Sequence, residues 1–175
     1  MVLYRRNRIE GGTYFFTVTL RNRQSDILVR HVELLREAFR SVKKQHPFTI
    51  DAVVILPDHL HTIWTLPKGD ADYSGRWRAI KAQFTFQLKK TGLTLTQDKR
   101  GEHQLWQRRF WEHTIRDDND FNRHVDYIHW NPIKHGLTQS ATDWPHSSFH
   151  NYVRLGLLPE NWAISSSKNA EHYGE

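Results

Sequence analysis

The stretch Phe48–Leu66, FTIDAVVILPDHLHTIWTL, constrains the fold more than any other part of the chain. Two runs rich in β-branched and aromatic residues flank Pro57–Asp58, a dipeptide that turns the backbone. Phe48–Leu56 and His59–Leu66 therefore read as two strands of one hairpin. A hairpin mid-chain commits the protein to an antiparallel sheet, and the flanking segments must supply its other strands and its cover.

They do so in a regular order. Gly11–Leu20, GGTYFFTVTL, predicts a strand from about Thr13. His31–Gln45 places Val32, Leu35, Ala38, Phe39 and Val42 at helical spacing, and Pro47 follows soon after. Arg76–Lys90 carries Trp77, Ile80, Phe84 and Leu88 on one helical stripe. Leu105–Ile115 predicts a last strand and Asp118–Lys134 a third helix with an acidic first turn. The first six elements give an α+β, ferredoxin-like βαββαβ layout, a mainly antiparallel sheet with helices packed on it, followed by a C-terminal helix. At 175 residues the chain reads as one domain, residues 1–160, with a polar tail over 161–175 that is expected to be disordered.

The chain has no cysteine, which excludes disulfides and thiolate metal sites and suits a reducing compartment. No signal peptide and no membrane-length apolar run is evident, so the expected location is the cytoplasm. The formal charge of +6 comes in clusters: Arg5, Arg6 and Arg8; Arg76, Arg78 and Lys81; Arg108 and Arg109. Seven tryptophans and other aromatic residues are interleaved with them. Cations that track phosphates beside rings that stack on bases suit a single-stranded nucleic acid.

Side chains alternate across a strand, so His59 and His61 project to one side, with Leu60, Thr62 and Trp64 on the other. Two imidazoles on a rigid strand form half of a metal site. With 12 histidines in the chain, about one such spacing arises by chance, so the pair needs a third ligand and a reacting group. The helix DNDFNRHVDYIHWNP offers both. Phe121, Val125 and Ile128 make a buried stripe, and Asp120, His124, Tyr127 and Asn131 a polar stripe beside it. The amide oxygen of Asn131 can ligate a hard divalent ion, and the phenol of Tyr127 can act as a nucleophile. Read structurally instead, Tyr127 is a rim residue and Asn131 ends the helix before Pro132.

Several segments together resemble the HUH single-tyrosine transposases of the IS200/IS605 type, and most closely the REP-associated tyrosine transposases. These are YRRNRIEGGTYFFTVTL, LPDHLHTIW, LWQRRFWEHTIRDDNDFNRHVDYIHWNPIKHGL and DWPHSSFHNY. The resemblance implies that His59 and His61 are metal ligands, that Asn131 completes the coordination of Mg²⁺ or Mn²⁺, and that Tyr127 is the nucleophile. It also implies cleavage and rejoining of single-stranded DNA at hairpins of the repetitive extragenic palindrome type, through a 5′-phosphotyrosine link. The protein would then be nucleoid-associated, as a monomer or a homodimer. Phenols ordinarily ionise near pH 10, so a proton acceptor is needed, and His124, one turn before Tyr127, is a candidate alongside its reading as a plain surface histidine. Arg5, Arg6 and Arg8 are candidate contacts to phosphate or to the hairpin foot, and Arg76, Arg78, Lys81, Arg108 and Arg109 to the hairpin. Two rivals stand beside this reading: a module that binds hairpins without cutting them, and a metal-dependent nuclease that uses water.

Overall fold

The computed structural model describes residues 6–162; the polar tail beyond them and Arg5 lie outside. Strand β1 (Thr13–Thr19) is followed by a short helix α1 (Ile27–Arg30) and by α2 (Val32–Gln45). Strands β2 (Thr49–Ile55) and β3 (His59–Thr65) form the expected hairpin, closed by a hydrogen bond from Leu56 N to the His59 carbonyl at 2.9 Å. Helix α3 (Tyr73–Lys90), β4 (Trp111–Thr114), α4 (Asp118–Lys134) and α5 (Phe149–Arg154) complete the described elements, with one 3-10 turn at Ala141–Asp143. The sheet order is β2-β3-β1-β4, and every neighbouring pair is antiparallel. This is the ferredoxin-like α+β arrangement that the element order predicts.

Alternation along the strands gives the sheet two buried faces. Tyr14, Phe16 and Val18 of β1 and Leu60 and Trp64 of β3 pack with Leu35, Phe39, Trp77, Ile80 and Phe84 of α2 and α3. Phe15, Ala52, Val54 and Ile63 point the other way, onto Val125, Tyr127 and Ile128 of α4. The third helix of the sequence reading therefore packs on this face of the sheet, with Trp144 and Tyr152 from the segment after it packed against the same cluster. Among the described residues, no helix is long and apolar enough to cross a membrane.

Three departures from the sequence reading have local causes. The last strand is shorter than Leu105–Ile115. A bridge between Leu20 and Trp106 and a hydrogen bond from Gln107 N to the Thr19 carbonyl at 2.9 Å extend its pairing, but regular ladder exists only over Trp111–Thr114. Helix α4 has the bounds that the sequence reading gives it, and what departs is the alternative in which Asn131 ends it: Pro132 lies inside the helix, which closes later through a glycine cap. Gly136 has φ +67°, its N–H reaches the Ile133 carbonyl, and Leu137 N reaches the Pro132 carbonyl, both at 2.9 Å. Finally, Ala141–Arg154 is structured. Residues 146–148 run along the outer edge of β2, with Ser148 N donating to the Val53 carbonyl and Ile55 N to the His146 carbonyl, both at 2.8 Å. That strip protects a strand edge that would otherwise offer open hydrogen-bonding groups. His129 of α4 meets Ser148 Oγ at 2.9 Å, and burial holds its imidazole down to about 4, so it is neutral at physiological pH.

Candidate active site

The site forms where β3 passes under α4. Cross-strand register sets Thr17 of β1 opposite His61, and Thr19 opposite His59. Thr17 Oγ1 lies 2.8 Å from His61 Nδ1, and Asp58 Oδ1 lies 2.7 Å from His59 Nδ1. With each Nδ1 carrying the proton toward its oxygen partner, each Nε2 keeps the lone pair that a metal needs. Fixing one ring nitrogen with a carboxylate or hydroxyl is how histidine ligands are oriented. The two rings stand with their centroids 5.0 Å apart at 83°, both nearly inaccessible to solvent.

Asp58 reads in the sequence only as a turn residue, yet it is the best-supported partner of the pair. Burial pushes its carboxyl up. The hydrogen bond and charge of His59, together with Arg23, outweigh that and hold it below the usual carboxylate range. Asp58→Asn is expected to weaken metal binding by about 10–100-fold without unfolding the chain, as read by calorimetric Mn²⁺ titration.

Tyr127 stands across from the histidines. Its ring lies 5.2 Å from that of His61, at 73°, and 6.1 Å from that of Phe15. His135, just past the end of α4, places its ring 5.0 Å from His59. Asn131 lies between these two contacts, four residues from each, and is completely buried. The helix thus lays Tyr127, Asn131 and His135 along the His61–His59 side of the sheet. The sequence reading places the polar stripe beside the core. Instead, Asp120, His124, Tyr127 and Asn131 are all at most 4% exposed, because the stripe faces the sheet's polar patch.

The phenol oxygen has a neighbour the sequence reading misses. Lys134 Nζ donates to Tyr127 Oη at 3.0 Å and sits 4.8 Å from the ring centroid. His124, a candidate proton acceptor, lies one turn before Tyr127 on the same helix and is buried. Its Nδ1 is 2.7 Å from the Asp120 carbonyl, its ring lies 4.7 Å from that of His113 at 14°, and it packs on Phe15 at 4.8 Å. Burial pushes its imidazole below the ordinary range, although Asp120 acts in the opposite direction.

His113, Asp120 and His124 form a second group with ligand atoms within 4.8 Å of one another, able in principle to hold a cation. Its carboxylate is already well compensated. Asp120 Oδ2 is 2.7 Å from His113 Nε2 and 3.0 Å from Arg116 N, and the guanidinium groups of Arg116 and Arg123 lie at 3.7 and 3.6 Å.

The basic residues divide. Arg76 is corrected from the nucleic-acid surface to the interior: it is 4% exposed, pairs with Asp70 at 2.6 Å and donates to the Pro47 carbonyl at 2.9 Å. Instead of facing DNA, it ties α3 to the loop before it and to the segment just after α2. Arg6 is half-buried over the Phe110 ring at 4.1 Å and bonds Ser74 Oγ at 2.7 Å. Lys81 donates to the Gln107 carbonyl at 3.1 Å, and burial, with Arg6 nearby, lowers its ammonium to about 8. Arg8, Arg78, Arg108 and Arg109 remain exposed.

Comparison with known proteins fits this geometry. Residues 10–131 match the family described as Transposase IS200 like, a span that holds the two histidines, Tyr127 and Asn131. The chain belongs to the IS200-like transposase family. An Escherichia coli (strain K12) relative, named REP-associated tyrosine transposase, is 51% identical over 160 residues, covering 91% of this chain and 90% of that one. A Haemophilus influenzae relative is 44% identical over 161 residues, covering 91% and 92%. A solved structure of a REP-associated tyrosine transposase bound to a REP hairpin superposes with a TM-score of 0.86 at 48% identity, covering 100% of this chain and 98% of that one. This IS200-like transposase therefore shares its overall fold with a protein of that name.

Proposed function

We propose that the chain is a metal-dependent single-stranded DNA endonuclease and strand transferase, which cuts and rejoins DNA at REP-type hairpins through a 5′-phosphotyrosine link. The observation that carries the reading is the 5.2 Å approach of the Tyr127 ring to that of His61, which joins a nucleophile on α4 to a ligand pair on β3. The hairpin part of the reading rests on the REP hairpin held by the solved relative.

His59, His61 and Asn131 would hold a Mg²⁺ or Mn²⁺ ion: two oriented imidazoles and a buried carboxamide suit a divalent cation. Such an ion, when bound, polarises the scissile phosphate and stabilises charge on it. Asp58 and Thr17 hold the imidazoles; Phe15 and His61 hold the Tyr127 ring. The Tyr127 oxygen forms a bond to phosphorus as the 3′-oxygen leaves. The new link is itself a phosphodiester, so a 3′-OH can reverse the step with no nucleotide cofactor.

A labelled hairpin oligonucleotide with a single-stranded foot, incubated with the protein and Mn²⁺ and run on a denaturing gel, tests this. A slow covalent band is expected, lost with EDTA and lost in Tyr127→Phe. Free cleavage products that persist in Tyr127→Phe would make the protein a water-using nuclease, and retarded but uncut DNA would make it a binding module.

A further inference from the structure

We infer that Lys134 is a catalytic residue that stabilises negative charge on the Tyr127 oxygen in both cleavage and rejoining. The inference rests on the reading of Tyr127 as nucleophile. Its own observation is the contact between Lys134 Nζ and Tyr127 Oη at 3.0 Å, with the ammonium 4.8 Å from the ring centroid.

The contact is built by the helix. Lys134 lies seven residues after Tyr127, two turns along the same face of α4, in the last turn before the Gly136 cap. The phenol ring packs edge-on against Phe15 and His61, which stack on each other, and Lys134 meets its oxygen. Hydrogen bonds from an ammonium strengthen as their acceptor gains charge. Relative to the neutral phenol, the transition state carries partial negative charge on this oxygen, so the interaction is stronger there than in the resting enzyme.

The balance is simple. In cleavage the Oη–phosphorus bond forms and the bond from phosphorus to the 3′-oxygen breaks. The phenol proton passes to solvent, and the departing 3′-oxygen takes a proton from solvent. Rejoining runs the same path backwards, and the phenolate departs hydrogen-bonded to Lys134. Lys134 keeps its protons throughout. Because the two directions share one transition state, losing Lys134 slows both.

The absence of cysteine from the chain allows a clean test. Lys134→Cys introduces the sole thiol, and 2-bromoethylamine converts it into a close lysine analogue. At saturating hairpin DNA with Mn²⁺, Lys134→Cys is expected to form adduct about 10²-fold more slowly than wild type. Rejoining by the isolated adduct is expected to slow by the same factor, with hairpin affinity and melting temperature near wild type. Aminoethylation is expected to restore most of the rate, and Lys134→Arg to retain part of it. A full rate at saturation with weakened affinity would make Lys134 a DNA contact and overturn the inference. So would a lowered melting temperature with an unchanged rate, which would leave only its charge at the helix end. A folded Lys134→Cys that gains nothing on aminoethylation would overturn it too. Tyr127→Phe separates the two layers. If it still forms adduct, the nucleophile reading fails. If it does not, and Lys134→Cys matches wild type, only the role of Lys134 fails.

Discussion

His61→Ala is expected to lower adduct formation by about 10³-fold or more, equivalent to about 4 kcal/mol of lost transition-state stabilisation. His61 is completely buried, its Nδ1 is held by Thr17 at 2.8 Å, and its ring touches both the partner histidine and the candidate nucleophile. Removing it takes one of three proposed donors from the ion and one wall from the Tyr127 ring. The fold should survive, because the loss is one imidazole beside a threonine hydroxyl, a cost of about 1–3 kcal/mol for the group left behind. Two readouts check this: the denaturing-gel rate, and Mn²⁺ binding followed by calorimetry. Both should collapse in His61→Ala and persist in His113→Ala. The reverse pattern would move the ion to the His113–Asp120–His124 group, whose carboxylate is already held by two guanidinium groups.

The largest stability effect is expected at Trp64. Its ring is fully buried, lies 4.2 Å from that of Trp77 at 20°, 4.3 Å from Phe48 and 4.9 Å from Phe16. Trp64→Ala removes the piece that joins the central strand β3 to both α2 and α3, leaving a cavity that rigid aromatic neighbours fill poorly. A loss of about 3–5 kcal/mol is expected, which for a chain of this size lowers the melting temperature by roughly 10 °C or more. Trp64→Phe should cost markedly less. It keeps most of the stacking and removes an indole N–H that is buried with no hydrogen-bond partner. Thermal denaturation of both variants decides; equal losses would mean that the indole's full width is needed between the helices.

Much of this was readable from the chain, because periodicity reports which residues share a face. The hairpin at Pro57–Asp58, the three main helices and the common side of His59 and His61 all follow from spacings of two or of three and four. What lies opposite a face is set by tertiary packing. The polar stripe of α4 reads as a rim until the sheet beneath it proves to be lined with histidine and threonine. Arg76 reads as a candidate DNA contact because nothing local shows that the Pro47 carbonyl and Asp70 will close around it. Thr17 depends on cross-strand register, and Lys134 on a long side chain reaching back two turns. Asp58 was the most accessible of the missed residues, since a carboxylate directly before a ligand-type histidine is itself a chemical signal.

The link between β4 and α4 is only the three residues Ile115, Arg116 and Asp117. So short a tether starts the helix beside the strand it leaves, and the 5.2 Å contact from Tyr127 to His61 is made within this chain. Every group assigned to the chemistry is therefore present on one chain. A dilution series reads whether one copy suffices: a rate per molecule that holds on dilution means that it does, and a rate that falls means that a second copy takes part.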